Sequence, residues 1–294
     1  MRRLKTVLLV LAAAVIAGAC SVSADVRKEK TGYFDTEYHP DQALGEDGAY
    51  IDISAVSDGY VAASATSDTR LVFQIKKDDY TYNYIMHSDG TPSVYPLTRG
   101  DGSYKFRIME NLADNRYAER FAASCDVVIE DPMEPYLRTS EFVSYTKDSQ
   151  CVKKSLSITK NARNDLETVK YIYDFICRSI TYDYEKVKVL TSDYVPVPDE
   201  IMKKGKGICF DYASLAACML RARGIPTKMV FGYVAPDYLY HAWNLIYLEE
   251  TGWISVSFEV TANNWTRMDL TFIANGSNDE FIGNGENYTD LHYF

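Results

Sequence analysis

The sequence is poor in cysteine and in basic charge. Its 294 residues include six cysteines, which are too few for a fold held together by disulfides. Acidic residues outnumber Lys and Arg by 41 to 31, a formal net charge of −10, and no block of basic residues follows the N-terminus. Because affinity for nucleic acid comes largely from neutralised phosphates, a nucleic-acid partner is excluded. With 47% hydrophobic residues, the chain is long enough for two packed cores.

Long apolar runs are also scarce, and the one that exists lies at the N-terminus. Arg2, Arg3 and Lys5 precede an almost wholly apolar stretch over residues 6–17. A basic start, a short apolar run and small residues at its end are typical of a secretory signal, and the run is too short for a stable membrane span. We therefore expect a signal peptide over residues 1–19. No transmembrane helix is expected, because no second apolar run reaches 18 residues.

The predicted signal ends in the sequence AGAC at residues 17–20, which resembles the bacterial lipobox. The resemblance implies that Cys20 receives lipid and becomes the first residue of an extracellular, membrane-anchored lipoprotein. The alternative is ordinary cleavage after Ala24, which would release a soluble protein. Residues 20–48 are polar and lack a sustained period, so we expect a tether between the membrane and the first domain.

Residues 49–131 consist of short alternating runs separated by turn residues. Leu71, Phe73 and Ile75 share one face of a predicted strand, and the pairs Asp58-Gly59 and Asp89-Gly90 are turn signals. About seven such runs predict a small antiparallel β-sandwich domain. The other apolar positions that follow this alternation are Tyr80, Tyr82, Tyr84, Tyr104, Phe106, Ile108, Phe121, Ala123, Cys125, Val127 and Ile129.

The period becomes helical after a predicted linker over residues 132–159. The sequence NDLE at 164–167 is typical of a capping box at a helix start, and a second helix is predicted to begin near Cys209 and to end before Gly224. Helices followed by antiparallel strands predict the α+β class for a second domain over residues 160–294. The predicted strands are 227–234, 242–248, 253–260 and 265–272. The predicted inward positions are Leu166, Val169, Ile172, Tyr173, Ile176 and Ile180 in the first helix, and Tyr212, Leu215, Ala216, Met219 and Leu220 in the second.

Cys209 occupies a position that suits a nucleophile. A thiolate forms most easily at the start of a helix, because free N–H groups and the helix dipole favour negative charge there. A nucleophilic thiol also needs a base, and His241 is the histidine that falls within an ordered segment of the second domain. The other three, His39, His87 and His292, lie in the tether, in a first-domain hairpin and near the end of the sequence. A third group, usually a carboxylate or an amide, must orient the imidazole.

The second domain resembles the transglutaminase-like superfamily. The motifs that carry the resemblance are GICFDYA (207–213), LRARGIP (220–226), Gly232-Tyr233 and His241-Ala242-Trp243. The resemblance covers roughly residue 165 to the end of the sequence. It implies a papain-like core of helices packed on an antiparallel sheet, with the nucleophile on a helix and His and Asp on neighbouring strands. The first domain resembles the β-rich companion of some secreted bacterial members.

The position of the acid departs from the family pattern. Many members carry Val-Asp-Pro-Thr soon after a tryptophan, whereas here Ser257 stands in the corresponding run and cannot serve as a carboxylate. The next predicted strand, WTRMDLTF at 265–272, matches the Trp, Asp, x, Thr pattern better, so we assume an inserted hairpin and assign Asp269. Glu259 is the alternative acid, because a glutamate can fill the orienting role.

The resemblance implies a cysteine enzyme that acts on peptide or side-chain amide bonds through Cys209, His241, Asp269 and a thioester intermediate. Water as acceptor would give a peptidase or amidase, and a Lys amine would give a protein cross-link. The expected partners are extracellular peptides or proteins, cell-wall peptides among them, and the membrane through the lipid on Cys20. The rival hypothesis is a non-catalytic cell-surface binding or structural protein that uses the domain as a scaffold.

Other residues near the predicted site have structural interpretations. Asp211 is expected to support the helix N-terminus electrostatically, and Tyr182 is a candidate cleft residue. The three tryptophans, Trp243, Trp253 and Trp265, are predicted to pack in the core. The sequence shows no zinc-ligand spacing and no phosphate-binding glycine loop, so the chemistry is expected to need no cofactor. The cysteines whose disulfide state the sequence leaves open are Cys125, Cys151, Cys177 and Cys218.

Overall fold

The described part of the chain begins at residue 36. The structure is a computed structural model that describes residues 36–191, 194–234, 239–260, 266–271 and 288–294, and for the strands after residue 256 it describes the backbone alone. The predicted signal peptide (1–19), the predicted lipidation site Cys20 and the tether up to residue 35 lie outside these residues.

Two four-stranded antiparallel sheets follow the tether. Their strands are β1 (Leu44–Glu46), β2 (Ala49–Asp52), β3 (Tyr60–Ala65), β4 (Leu71–Lys77), β5 (Tyr80–Met86), β6 (Ser93–Pro96), β7 (Gly102–Ala113) and β8 (Arg116–Val127). The strand orders are β1-β2-β3-β6 and β5-β4-β7-β8. The strand-rich first region that the sequence predicts is therefore confirmed.

The alternating pattern explains these strands. In β4, Leu71, Phe73 and Ile75 are buried and the residues between them are more exposed. Successive side chains of a strand point to opposite faces, so one apolar face of β4 enters the core. Tyr82 of β5 is buried as predicted, whereas Tyr80 is 49% exposed because it lies beside the turn that joins β4 to β5.

The tether is shorter than predicted, because residues 44–46 form β1 and pair with β2. The two strands are joined by Asp47 and Gly48, whose φ angles of 48° and 75° are both positive, as a tight hairpin turn of this kind requires. His39, also placed in the tether, lies against the buried Asp52. Its backbone amide donates to the Asp52 carboxylate at 2.7 Å, and its Nδ1 lies 3.1 Å from the same oxygen.

The remainder of the chain combines helices with a five-stranded antiparallel sheet. The elements are α1 (Gln150–Ile158), α2 (Asp165–Ser179), β9 (Thr181–Tyr182), α3 (Tyr184–Lys188), α4 (Pro198–Lys204), β10 (Lys206–Gly207), α5 (Cys209–Arg221), β11 (Thr227–Val234), β12 (Leu239–Leu248), β13 (Gly252–Val260), β14 (Thr266–Thr271) and β15 (Tyr288–Tyr293). The sheet order is β14-β13-β12-β11-β15, and the short β9 and β10 pair in parallel. The α+β fold class is confirmed, while β15, which pairs with β11, was not predicted.

The two predicted helix starts are confirmed by different contacts. Asn164 caps α2, since its side-chain oxygen accepts a hydrogen bond from the Glu167 amide at 2.9 Å. The α5 helix begins at Cys209, and all its predicted inward residues are buried. Leu166 was predicted wrongly as part of the apolar stripe of α2. It is 42% exposed because it lies in the first turn, before the helix reaches the core.

One apolar core includes residues of the first sheets and of the helices and strands that follow. Phe294 contributes to it, because its ring packs edge-on against Tyr84, Phe142 and Phe231. The α1 helix lies within the predicted linker 132–159, and the domain division at that segment stays a prediction. None of the helices in the described ranges is long and apolar enough to cross a membrane.

Candidate active site

Cys209 is the first residue of α5, and the backbone before it is shaped by Asp211. The Asp211 carboxylate accepts a hydrogen bond from the Ile208 amide at 2.9 Å, so it satisfies one of the free N–H groups at the helix start. This contact requires glycine at position 207, because an added Cβ there would lie 2.7 Å from the Cβ of Asp211. The Gly-x-Cys-x-Asp spacing is therefore explained by the space that Asp211 needs beside residue 207. The predicted supporting role of Asp211 corresponds to its hydrogen bond with the Ile208 amide.

The Cys209 thiol is surrounded by backbone amides in a partly buried position. Burial raises its pKa above the ordinary value for cysteine, and the nearby Asp211 carboxylate raises the pKa further. Backbone amides of Ala242, Phe210 and Cys209 itself lower the pKa, but they do not offset burial. The amides at the helix start act in the expected direction, towards the thiolate, but desolvation is the larger effect in the resting protein.

His241 lies on β12, directly before Ala242, whose amide lowers the pKa of the Cys209 thiol. Burial lowers the pKa of its imidazole to about 4, so the ring is neutral at pH 7. The imidazole lies parallel to the Trp243 indole, with ring centroids 6.4 Å apart. A neutral imidazole is able to accept a proton, which is the property that the predicted base needs.

The contact between helix α5 and strand β12 brings the predicted nucleophile beside the segment that carries the predicted base. Pairing between β12 and β13 ends at Asn244 and Val256. Beyond that point on β12, the Ala242 amide lowers the pKa of the Cys209 thiol. Asn244 fixes the same strand to the helix, since its Nδ2 donates to the Ala213 carbonyl at 3.0 Å and its Oδ1 accepts from the Tyr173 hydroxyl at 2.9 Å. Asn244 was not singled out from the sequence, because an isolated asparagine in a strand carries no local signal.

The two candidate acids lie on different strands. Asp269 is on β14, where it pairs with Ser257 of β13, and Glu259 is on β13 itself. Since β13 separates β14 from β12, Asp269 lies two strands away from His241 and Glu259 lies on the adjacent strand. The described backbone therefore leaves both Asp269 and Glu259 as candidates for the orienting acid.

Aromatic side chains line the surroundings of the thiol. Tyr182 on β9 and Tyr240 on β12 both interact electrostatically with Cys209, and burial raises the pKa of Tyr182 to about 12. Tyr240 is 58% exposed, and its ring stacks against Phe231 at 6.2 Å. The candidate cleft residue Tyr182 therefore lies near Cys209. Tyr240, on β12, lies near the same thiol.

The tryptophans have the core role that was predicted where the structure describes them. Trp243 is 1% exposed and packs with Val230 and Leu245, and the partly buried Trp253 packs against the same cluster. Trp265 lies outside the described residues. Within the described ranges, no group of His, Cys, Asp and Glu side chains is arranged to hold a metal ion. The cysteines with free thiols are Cys125, Cys151, Cys177, Cys209 and Cys218.

The Lys186 side chain reaches the N-terminal end of α5. Lys186 of α3 places its Nζ 2.5 Å from Asp211 Oδ2, and the Tyr194 hydroxyl hydrogen-bonds to the other oxygen of the same carboxylate. The Asp211 side chain is completely buried. Neither Lys186 nor Tyr194 was singled out, because their distance from Asp211 along the chain hides the contact from any local pattern.

Comparison with known proteins matches the segment that contains Cys209 and His241 to a family. Residues 153–258 match the family described as the transglutaminase-like superfamily. The uncharacterized protein YebA of Bacillus subtilis is 27% identical over 229 residues, which are 65% of this chain and 31% of YebA. Mouse kyphoscoliosis peptidase is 28% identical over 152 residues, which are 44% of this chain and 23% of the peptidase. The chain thus spans less than a third of the length of either relative.

Two solved structures are similar to the chain at low sequence identity. The periplasmic domain of TgpA from Pseudomonas aeruginosa is 12% identical, with a TM-score of 0.36, and the match covers 74% of this chain and 71% of that domain. Red sea bream transglutaminase is 14% identical, with a TM-score of 0.27, and the match covers 67% of this chain and 47% of that enzyme.

Proposed function

The chain carries a transglutaminase-like domain over residues 153–258, and from this premise we propose that it is a thiol enzyme acting on amide bonds. Cys209 is the nucleophile, His241 is the base, and Asp269, with Glu259 as its competitor, orients the imidazole. The observation that carries the proposal is the packing of β12, the strand of His241, on the helix that begins at Cys209, where Asn244 Nδ2 donates to the Ala213 carbonyl at 3.0 Å. The Ala242 amide, next to the proposed base, also lowers the pKa of the Cys209 thiol.

The charge states of the two residues suggest how the reaction starts. Burial favours a neutral thiol and a neutral imidazole at pH 7. His241 accepts the thiol proton as sulfur bonds to the carbonyl carbon, and the amides at the start of α5 stabilise the oxyanion. The imidazolium then protonates the leaving amine as the carbon–nitrogen bond breaks. The product of this half-reaction is a thioester on Cys209.

The acceptor for the acyl group decides between two reactions. Water returns a carboxylic acid and the free thiol, which is a peptidase or amidase reaction, and a Lys amine gives a cross-link between proteins. The name of the mouse relative, kyphoscoliosis peptidase, favours hydrolysis. We therefore propose a peptidase or amidase that acts on extracellular peptides or proteins, with cell-wall peptides as one substrate class.

The proposed location follows from the N-terminal sequence. A lipid on Cys20 would hold the enzyme at the outer side of a membrane and keep it near such substrates. Metabolic labelling with radioactive palmitate tests this anchor. We expect the label in the full chain and its loss in Cys20→Ala, and label that survives this substitution would contradict lipidation at Cys20.

The catalytic proposal predicts that amide turnover depends on Cys209 and His241. Fluorogenic peptide amides, and a glutamine peptide with an amine acceptor, should be converted by the purified chain. Cys209→Ala should abolish both conversions, and His241→Gln should lower the rate about 10²- to 10⁴-fold, because the base is lost. Cys125→Ala is the matched control, since this partly buried thiol lies on β8 in the first region and should not matter.

The same assay separates the two acids. If Asp269 orients the imidazole, Asp269→Asn should lower the rate much more than Glu259→Gln, and the reverse result assigns the role to Glu259. Absence of turnover, together with ordinary thiol reactivity at Cys209, would contradict the enzyme proposal. It would favour the alternative of a non-catalytic surface protein.

A further inference from the structure

Asp211 carries a buried charge next to the nucleophile. Its carboxylate is completely buried and lies two residues from Cys209 on the same helix turn. Besides the Ile208 amide, its oxygens contact Lys186 Nζ and the Tyr194 hydroxyl. A buried carboxylate is costly without a partner of opposite charge, so the Lys186 ammonium is its main compensation.

The position of Lys186 is fixed by contacts on both sides. Asp183 caps α3 by accepting from the Lys186 amide at 3.0 Å, and the Asp183 amide donates to the Gly207 carbonyl at 2.9 Å. The Lys186 ammonium also lies 4.0 Å from the centroid of the Tyr194 ring. These contacts attach α3 to the backbone that leads directly into Cys209, and they bring the ammonium to Asp211 rather than to solvent.

We propose that Lys186 is a positioning residue for Cys209, whose ammonium cancels the Asp211 charge beside the nucleophile and holds α3 against the start of α5. The inference rests on the proposed role of Cys209 as the nucleophile. Its physical basis is that a carboxylate without compensation disfavours a second negative charge nearby, and the thiol must acquire such a charge when it attacks.

The other groups around the thiol do not supply this compensation. Tyr182 from β9 and Tyr240 from β12 have pKa values raised chiefly by burial, so both are neutral at pH 7. His241 from β12 is neutral because burial lowers its pKa to about 4. On α3, Glu185 and Lys188 are mostly exposed and pair with each other at 2.7 Å. Among these groups, Lys186 is the cation that contacts Asp211.

The test is the pH dependence of Cys209 alkylation by iodoacetamide, followed by mass spectrometry of the peptide that contains Cys209. Lys186→Met should move the midpoint of alkylation to higher pH and slow the reaction about three- to tenfold at pH values below the midpoint. Lys186→Arg should keep the wild-type midpoint, because it keeps the charge. The double variant Lys186→Met/Asp211→Asn should return the midpoint towards wild type, because it removes both charges while the new side-chain amide oxygen can still accept from the Ile208 amide.

The matched control is Lys188→Met, on the same helix but directed to an exposed partner. It should leave the midpoint unchanged. If Lys186→Met changes only the free energy of unfolding and leaves the midpoint in place, or if the double variant fails to restore the midpoint, the proposal is overturned. The assay needs no substrate, so it separates failure of this inference from failure of the proposed amide chemistry.

Discussion

At Cys209 two physical effects act in opposite directions. Backbone amides at the start of α5 and the Ala242 amide favour the thiolate, while burial and the Asp211 carboxylate favour the neutral thiol. At His241 burial acts alone and favours the neutral ring. Both groups are therefore neutral in the resting protein, and in the proposed reaction the proton moves during the attack rather than before it. The residue types are visible in the sequence, but their charge states depend on what buries them.

The partly buried imidazole of His241 predicts a pH dependence of the free energy of unfolding. The folded pKa of about 4 lies below the ordinary value of 6.5, so between these values the unfolded chain binds a proton that the folded chain does not. The stabilising contribution of the neutral His241 ring to the free energy of unfolding is complete above pH 6.5 and is lost as the pH falls towards 4. This loss is about 3 kcal/mol between pH 6.5 and 4.

Urea unfolding of the wild type and of His241→Gln, measured from pH 4 to 7.5, checks this prediction. The variant should lose less stability on acidification than the wild type. His87→Gln provides the control, because His87 is exposed and should leave the pH dependence unchanged. Equal pH dependence in the wild type and His241→Gln would show that the ring is not held neutral by burial.

At the scale of elements, the α5 helix is positioned by the residues just before it. Gly207 lets the Asp211 side chain fold back onto the Ile208 amide, and the paired strands β9 and β10 bring the same backbone beside the end of α2. The glycine and the acid are recognisable as a motif in the sequence. Their partners on α3 and in the following segment are not, because the contacts join residues up to 25 positions apart.

Gly207→Ala should displace Asp211 from its capping position. The added Cβ would lie 2.7 Å from the Cβ of Asp211, so the side chain or the helix start must shift. We expect a loss of about 1–2 kcal/mol in unfolding free energy and slower alkylation of Cys209. Gly252→Ala is the control for general destabilisation, since its φ of 75° is unfavourable for alanine but no atom lies within 4 Å of the added Cβ. If both variants alkylate at the wild-type rate, Asp211 does not shape the nucleophile.

At the scale of the whole molecule, Arg221 joins segments that are far apart in the chain. This completely buried residue at the end of α5 donates to the carbonyls of Thr227, Arg138 and Phe294. It thereby ties the nucleophile helix to β11, to the segment after the first sheets and to the residue that follows β15. Arg221, in the LRARGIP motif (220–226), therefore has a structural role. None of these hydrogen bonds involves a residue of the candidate active site.

Arg221→Met should destabilise the protein by about 3–5 kcal/mol, because it leaves buried carbonyl groups without their donor. Arg178→Met is a matched control, since Arg178 also lies in the last turn of a helix but is exposed. Urea unfolding of both variants measures the difference. Similar midpoints for the two variants would mean that the buried guanidinium contributes little net stability.

Features that depend on local pattern can be derived from the amino-acid sequence. Alternation in β4, the Asn164 cap of α2, the start of α5 at Cys209 and the bounds of β11 follow from neighbouring residues, and so does the α+β class. Each of these features is decided within a few residues, because strand period, capping and helix periodicity are local properties.

Features that depend on contacts between distant residues become visible in the folded structure. These are the pairing of β15 with β11, the Lys186 contact with Asp211, and the order β14-β13-β12 that places Asp269 beyond Glu259. The pKa directions of Cys209 and His241 belong to the same group. The physical reason is common to all of them, because burial and charge compensation are set by whatever the fold brings close, whatever its distance along the chain.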